Sequence, residues 1–119
     1  MRIDLHIHGV SSDGRQQEIV TRRIQFALAR FADRISTVTV KVNDENGPRG
    51  GIDHRCLVEV DLRSGPKLYV EAQGVDAEAS AAVASRRAAR RVRDELTRRR
   101  LFERRPRAVT VQEPPAAES

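Results

Sequence analysis

An α+β domain with the element order β-α-β-β-β-α, in which a four-stranded sheet carries two helices packed on one face, follows from two periodicities and the connections between them. Four segments alternate apolar and polar residues with the period of a half-buried strand, and two segments repeat apolar residues every three or four positions, as an amphipathic helix does. The last three strands are joined by connections that contain no helix, so they form antiparallel hairpins. A helix separates the first two strands, and its right-handed crossover makes them parallel if they are neighbours. One sheet layer with both helices on the same side then buries every apolar stripe.

Residues Arg2 to His8 alternate, with Ile3, Leu5 and Ile7 on one face and Asp4, His6 and His8 on the other. Gly9 to Gly14 breaks the pattern, and Asp13 with Gln16 three residues on resembles a capping box. Val20, Ile24, Ala27, Leu28, Phe31 and Ile35 then follow at helical spacing, with Arg15, Arg22, Arg23 and Arg30 off the apolar stripe. Ser36 to Asn43 is a second strand with Val38, Val40 and Val42 inward. The segment DENGPRGGID, residues 44 to 53, has the composition of a loop. A third strand places Cys56, Val58, Val60 and Leu62 on one parity, RSGPK makes a turn centred on Gly65 and Pro66, and a fourth strand turns Leu68, Val70 and Ala72 inward before Gly74 ends it. Asp76 is placed to cap the last helix, and Glu78 suits the positive end of that helix's dipole.

That last helix carries the most informative charge. The run RRAARRVRDELTRRRLFERR, residues 86 to 105, holds ten arginines against Asp94, Glu95 and Glu103. At about 100° per residue, Arg86, Arg90, Arg93 and Arg100 form one stripe and Arg87, Arg91 and Arg98 a second beside it. Ala81, Ala84, Ala88, Val92 and Leu96 share the opposite side. Such a face is a solvated surface, a membrane-surface helix or a surface for polyphosphate. A merely solvated face interleaves acids with bases, and this one does not. A membrane-surface helix needs large apolar residues opposite its charges, where this one has alanine. The arginine fork engages phosphate oxygens bidentately, which favours nucleic acid.

Composition narrows the partner. The 119-residue chain has a formal net charge of +5, and its aromatics are Phe26, Phe31, Phe102 and Tyr69, with no Trp. So few rings argue against recognition of single-stranded bases by stacking, and for phosphate contact. The single cysteine, Cys56, excludes an internal disulfide and a Cys-x-x-Cys motif. Its inward parity makes it a small core residue. No signal-peptide core or membrane-spanning run is present in the sequence, so the expected location is the cytoplasm.

Other constellations carry little chemistry. His6 and His8 project from one strand face and could share a metal, but two ligands without a third donor do not make a site, so no metal or other cofactor is expected. Asp44, Glu45 and Asn46 lack the spacing of a calcium loop. No nucleophile, base and orienting acid form a catalytic pattern, and no glycine-rich phosphate loop precedes a helix. The protein is therefore expected not to be an enzyme and to have no small-molecule substrate. Residues 1–105 are expected to form the domain, and residues 106–119, with Pro106, Pro114 and Pro115, a disordered tail. Both arginine faces should point away from the sheet. Asp4, Asp44, Glu45, Asp53, Glu59, Asp61 and Glu71 should lie on its open face or in its loops, which makes the molecule basic over the helices and acidic behind.

Over residues 1–101 the chain resembles the ribosome hibernation promoting factor and ribosome-associated inhibitor family, in its short form. The segments that carry the likeness are EIVTRRI, RFADRISTVTVKV, RCLVEVDL and YVEAQGVDAEASAAVASRRAARRVRDEL, and NDENGPRGGIDHRC is similar to a loop of one branch. The resemblance implies a protein of the 30S ribosomal subunit that binds 16S rRNA in the decoding groove through basic helix faces and sterically blocks mRNA and tRNA. Arg23 falls on a basic position of the family's first helix, and Arg87 and Arg90 on basic positions of the second. Arg22, Arg30, Arg86, Arg91, Arg93 and Arg98 extend those faces and complete the expected RNA-binding set. Two positions depart from the pattern: Glu78 stands where a Tyr is usual, and Phe26 near a place where the family has lysine. Resemblance to the short form implies that the C-terminal domain of long members is not expected, and a monomer is expected. Three rival readings remain: a general double-stranded RNA-binding domain, a basic module that docks an acidic protein, and, with the least support, a metal-dependent activity at His6 and His8.

Overall fold

The structure, a computed structural model, describes residues 1–8, 14–44 and 54–104. Strand β1 (Arg2–His8) leads to helix α1 (Gly14–Leu28), which tightens into a 3-10 turn over Ala29–Arg34. Strands β2 (Ile35–Asp44), β3 (His54–Leu62) and β4 (Lys67–Gly74) follow, and helix α2 (Ala77–Arg104) ends the described chain. The sheet order is β1-β2-β3-β4, with β1 parallel to β2 and the other two pairs antiparallel. This is the α+β arrangement with the order β-α-β-β-β-α. The expected capping box at Asp13, residues 45–53 of the loop and the tail at 106–119 lie outside the described residues.

The core lies between the sheet and the two helices. Val20, Ile24 and Leu28 of α1 are fully buried, as are Val38, Val40, Val42, Cys56 and Val58 of the sheet. Burial of each large aliphatic side chain contributes about 1.5–3 kcal/mol. Helix α2 presents Ala77, Ala81, Ala84, Ala88 and Val92, all at most 1% exposed. Their small side chains let the helix axis approach β3 and β4 closely, while α1 lies against β1 and α2. The N-terminus of α2 is capped as expected, with the Ala79 N–H donating to Asp76 Oδ1 at 2.7 Å.

Ile35 corrects the reading of α1. Its spacing continues the helical stripe, but the helix ends at Leu28 and Ile35 is the first residue of β2. Ile35 pairs with Leu62 and Thr37 with Asp61, so Ser36 is the extra residue of a bulge. A side-chain period of two would put Ile35 and Val38 on opposite faces, and one inserted residue returns both to the core. The Ser36 hydroxyl fills the gap by donating to the Asp61 carbonyl at 2.9 Å.

The β3–β4 turn also differs in detail. Its left-handed residue is Ser64, with φ 54°, and not Gly65. A Cβ at Gly65 would meet the end of the flexible Arg99 side chain, whose Nη2 donates to the Ser64 carbonyl at 2.8 Å, so a side chain there would displace that guanidinium. Arg99 thus ties the last turns of α2 to the sheet.

Behind the sheet, the expected acidic surface is replaced by a balanced one. Asp4, Glu59, Asp61 and Glu71 share the open face with Arg2, Lys41, Arg55 and Lys67. Arg2 reaches Asp4 at 3.2 Å, Arg55 reaches Glu71 at 3.4 Å and Lys67 reaches Glu59 at 3.3 Å. Hydrogen bonding and charge from Glu59 hold the Lys67 ammonium above its ordinary pKa. Cations alternate with acids across neighbouring strands, a pattern invisible when the acids alone are counted. Asp44 is on the inward parity at the sheet's end, 3.9 Å from His54 Nε2. Glu45 and Asp53 lie outside the described residues.

Burial pushes the Cys56 thiol from its ordinary 9.0 up to about 12. Native protein is therefore expected to resist iodoacetamide at pH 8 and to be alkylated once unfolded in urea, which mass spectrometry reads directly. Between those two values the unfolded chain loses the thiol proton and the native chain keeps it. Stability supplied by this group is thus full below pH 9 and falls by about 1.4 kcal/mol per pH unit above it. The urea midpoint should drop more between pH 8 and pH 10 for the parent than for Cys56→Ala, and equal drops would refute this account.

Candidate nucleic-acid interface

Helices α1 and α2 lie side by side on the sheet and leave a groove of about 740 Å³ between their outer faces. Arg22 and Arg23 line it from α1, Arg30 from the 3-10 turn that follows, and Arg86, Arg90 and Arg93 from α2. The floor is made of small residues, Ala27, Ala82, Ser85 and Ala89, so the arginines stand as walls above it. Helical geometry explains each wall. Residues three, four and seven apart share a face, as Arg86, Arg90 and Arg93 do on α2 and Arg23 and Arg30 do on the facing wall, where Arg22 stands next to Arg23.

The guanidiniums differ in their commitments within the chain. Arg22 reaches Glu18 at 3.6 Å, Arg93 reaches Asp94 at 3.1 Å, and Arg23 bridges the helices to Glu78 at 3.0 Å. All three pairs are substantially solvated, where an ion pair is worth less than about 1 kcal/mol. A phosphate can displace such carboxylates at little cost. Arg30 lies over the Phe31 ring, 5.0 Å from its centroid. Among the described residues, no carboxylate pairs with Arg86 or Arg90, so the middle of the α2 wall carries uncompensated positive charge.

Arg87, Arg91 and Arg98, the other three expected site residues, are outside the groove. Arg87 turns toward the free edge of β4 and donates to the Glu71 carbonyl at 2.6 Å. Arg98 donates from Nη2 to both Glu95 oxygens at 2.9 Å, neutralising a carboxylate that is only 6% exposed. Arg91 is exposed one turn beyond Arg87 on the same flank. The two stripes of α2 therefore straddle its outer surface, one toward α1 and one toward the sheet edge.

Three residues of this face were not among the expected site residues. A second depression of about 410 Å³ continues the groove, and Arg34 and Arg100 line it together with Arg30 and Arg93. Helical spacing already puts Arg100 on the stripe of Arg86, Arg90 and Arg93, though it was not counted in the expected site, and Arg34 follows Arg30 by four positions. Phe26 is the third. It lines the main groove and is 88% exposed. Its spacing puts it off the apolar stripe of Val20, Ile24, Ala27, Leu28 and Phe31, which is the signal that sets it apart from a core aromatic.

His6 and His8 are exposed on β1, with Lys41 beside His6 in the register. Among the described residues no group of three His, Cys, Asp or Glu side chains could hold a metal ion. Among them, too, no helix is long and apolar enough to cross a membrane.

Comparison with known proteins places this architecture. The chain is similar to the Thermus thermophilus Protein Y N-terminal domain, with TM-score 0.62 and 20% identity over 77% of this chain and 96% of that one. It is also similar to a ribosomal subunit interface protein from Coxiella burnetii, with TM-score 0.61 and 13% identity over 82% of this chain and 99% of that one. At these identities the likeness establishes the fold. A search of curated proteins by sequence found no match. The family model described as "Sigma 54 modulation protein / S30EA ribosomal protein" matches residues 3–100. On that match, which takes in every described strand and the arginines of both groove walls, the chain belongs to the sigma 54 modulation protein / S30EA ribosomal protein family.

Proposed function

We propose that the protein is a ribosome hibernation factor that seats its arginine groove on 16S rRNA in the decoding region of the 30S subunit and excludes mRNA and tRNA by occupying their place. The observation that carries this reading is the convergence of six arginines from α1, the 3-10 turn after it and α2 on one groove, with Arg86 and Arg90 free of carboxylate partners among the described residues. Family membership supports it. Arg22, Arg23, Arg30, Arg86, Arg90 and Arg93 make the central contacts, and Arg34 and Arg100 extend them. Arg87, Arg91 and Arg98 serve the flank. The mechanism is steric and electrostatic and involves no bond making. A cytoplasmic monomer, without cofactor or membrane partner, suffices for it.

The balanced open face adds direction. A protein basic on one side and near neutral on the other is drawn to polyphosphate with the helices leading. Binding releases counterions, so the logarithm of affinity should fall linearly with the logarithm of salt, by roughly 0.9 per neutralised phosphate on the scale known for duplex DNA. Co-sedimentation with 30S subunits through sucrose at stepped potassium concentrations measures that slope. A slope corresponding to four or more phosphates, with loss of the protein from subunits pre-loaded with mRNA and tRNA, is the expected result. Equal competition by a short RNA duplex would indicate a general double-stranded RNA binder. Sedimentation insensitive to salt would sink the reading.

A further inference from the structure

We propose that Phe26 is a stacking platform for an unpaired base of the RNA held in the arginine groove, so that this face selects single-stranded or looped RNA over continuous duplex. The inference rests on the groove being an RNA surface and adds which RNA it takes. The ring is 88% exposed, the highest value among the exposed large hydrophobic residues of the described chain. It sits three residues after Arg23, four after Arg22 and four before Arg30, which makes these three arginines its neighbours on the helix surface. Arg86, Arg90 and Arg93 face it across the groove.

Phe31 offers a contrast within the same helical region. It is half-buried, and the Arg30 guanidinium lies 5.0 Å from its centroid, so that ring already has a cation over its face. Phe26 lines an open groove of about 740 Å³, within the roughly 300–1,000 Å³ that small ligands occupy. An occupant must satisfy clustered guanidiniums and a bare aromatic face together. A nucleotide does so within one residue, because its phosphate accepts arginine's paired donors and its base has a π-face. In a continuous duplex the bases are stacked on one another and show only their edges. A ring on an open surface therefore needs a splayed base. The scarcity of aromatics argues against stacking as the main mode of recognition, and this inference departs from that reading at one place only: one bare ring in the groove for one base.

The test uses Phe26→Ala and Phe26→Trp in the full chain, with a single-stranded 12-nucleotide oligoadenylate, a 12-base-pair RNA duplex and 30S subunits as probes. Phe26 is a solvent-exposed helix position, and thermal melts verify that both variants fold. Phe26→Ala is expected to weaken oligoadenylate and 30S binding by roughly 5- to 100-fold, the range for loss of one stacked base, without altering the salt slope or duplex affinity. The chain has no Trp, so Phe26→Trp gives a single indole, which is excited selectively at wavelengths where Tyr69 does not absorb. Its fluorescence should be quenched by oligoadenylate and little by duplex, with parental affinity retained. Unchanged oligoadenylate affinity in Phe26→Ala, while the parent binds RNA, overturns the stacking role and leaves the RNA surface standing. Weakened 30S binding with unchanged oligoadenylate affinity also overturns it and assigns the ring to a ribosomal protein. Failure of the parent to bind any of the three probes overturns both this inference and the reading beneath it.

Discussion

Reversing Arg86 and Arg90 to glutamate is expected to release the protein from 30S subunits, lowering affinity by at least about 100-fold at moderate salt. These two arginines stand mid-wall on α2, and among the described residues neither has a carboxylate partner. Each charge-assisted hydrogen bond to phosphate is worth about 1.5–3 kcal/mol, so losing two accounts for the loss before any repulsion is counted. The new carboxylates would also face Arg22 and Arg23 across the groove and neutralise part of the opposite wall. The salt slope should fall by roughly 0.9 for each lost phosphate contact. Both positions are exposed and glutamate is a good helix former, so the melting temperature should hardly move. Reversing Arg2 and Lys41 to glutamate is the matched control, since it changes the same amount of charge on the open face of the sheet, away from the helices. If the protein reversed at Arg86 and Arg90 co-sediments like the parent, or if the control is equally damaging, the groove is not the binding surface.

Gly74→Ala is expected to give the largest loss of stability from a single added methyl group. A Cβ at Gly74 would lie 2.6 Å from the Ser80 nitrogen and 3.0 Å from Ala79 C and Ser80 Cα. These are backbone atoms of the first turn of α2, and no side-chain rotation can clear them. The helix start must move off the end of β4, which strains the Asp76 cap on Ala79 and the Arg23–Glu78 bridge between the helices. Overpacking of this kind costs about 3 kcal/mol, which for a domain of this size lowers the melting temperature by roughly 10–15 °C. Gly14→Ala gives the contrast, since a Cβ there meets nothing within 4 Å and should be neutral or stabilising by up to about 1 kcal/mol. Thermal melts of both proteins decide the matter, and near-equal midpoints would show that α2 can yield.

The two arguments meet at the α2 N-terminus. Gly74 lets the helix start close against β4, and Asp76 caps it there. Ala77, Ala81, Ala84 and Ala88 then keep its axis low over the sheet. That placement sets the direction of every arginine further along. A disturbance at Gly74 is therefore expected to reach the groove as well as the core.

Most of the fold was legible because alternation and helical spacing are local properties of the chain. The parity of Val38, Val40 and Val42, of Cys56 to Leu62, and of Leu68 to Ala72 assigned the sheet's inner face without reference to anything distant. Ile35 was misassigned because its spacing satisfies the helix as well as the core, and only the bulge at Ser36 shows which element owns it. The charged back of the sheet was misjudged because cross-strand pairs such as Lys67 with Glu59 and Arg55 with Glu71 depend on register.

The arginine stripes were fixed by sequence, since which residues share a face of a helix is a matter of residues per turn. What lies beside each stripe was not, because that depends on how α2 is rotated against α1 and β4. The tertiary arrangement alone assigned Arg86, Arg90 and Arg93 to the groove, Arg87 to the Glu71 carbonyl and Arg98 to buried Glu95. It also left Phe26 bare in the same groove. An amphipathic pattern states which side of a helix avoids water, and only packing decides what the remaining sides can touch.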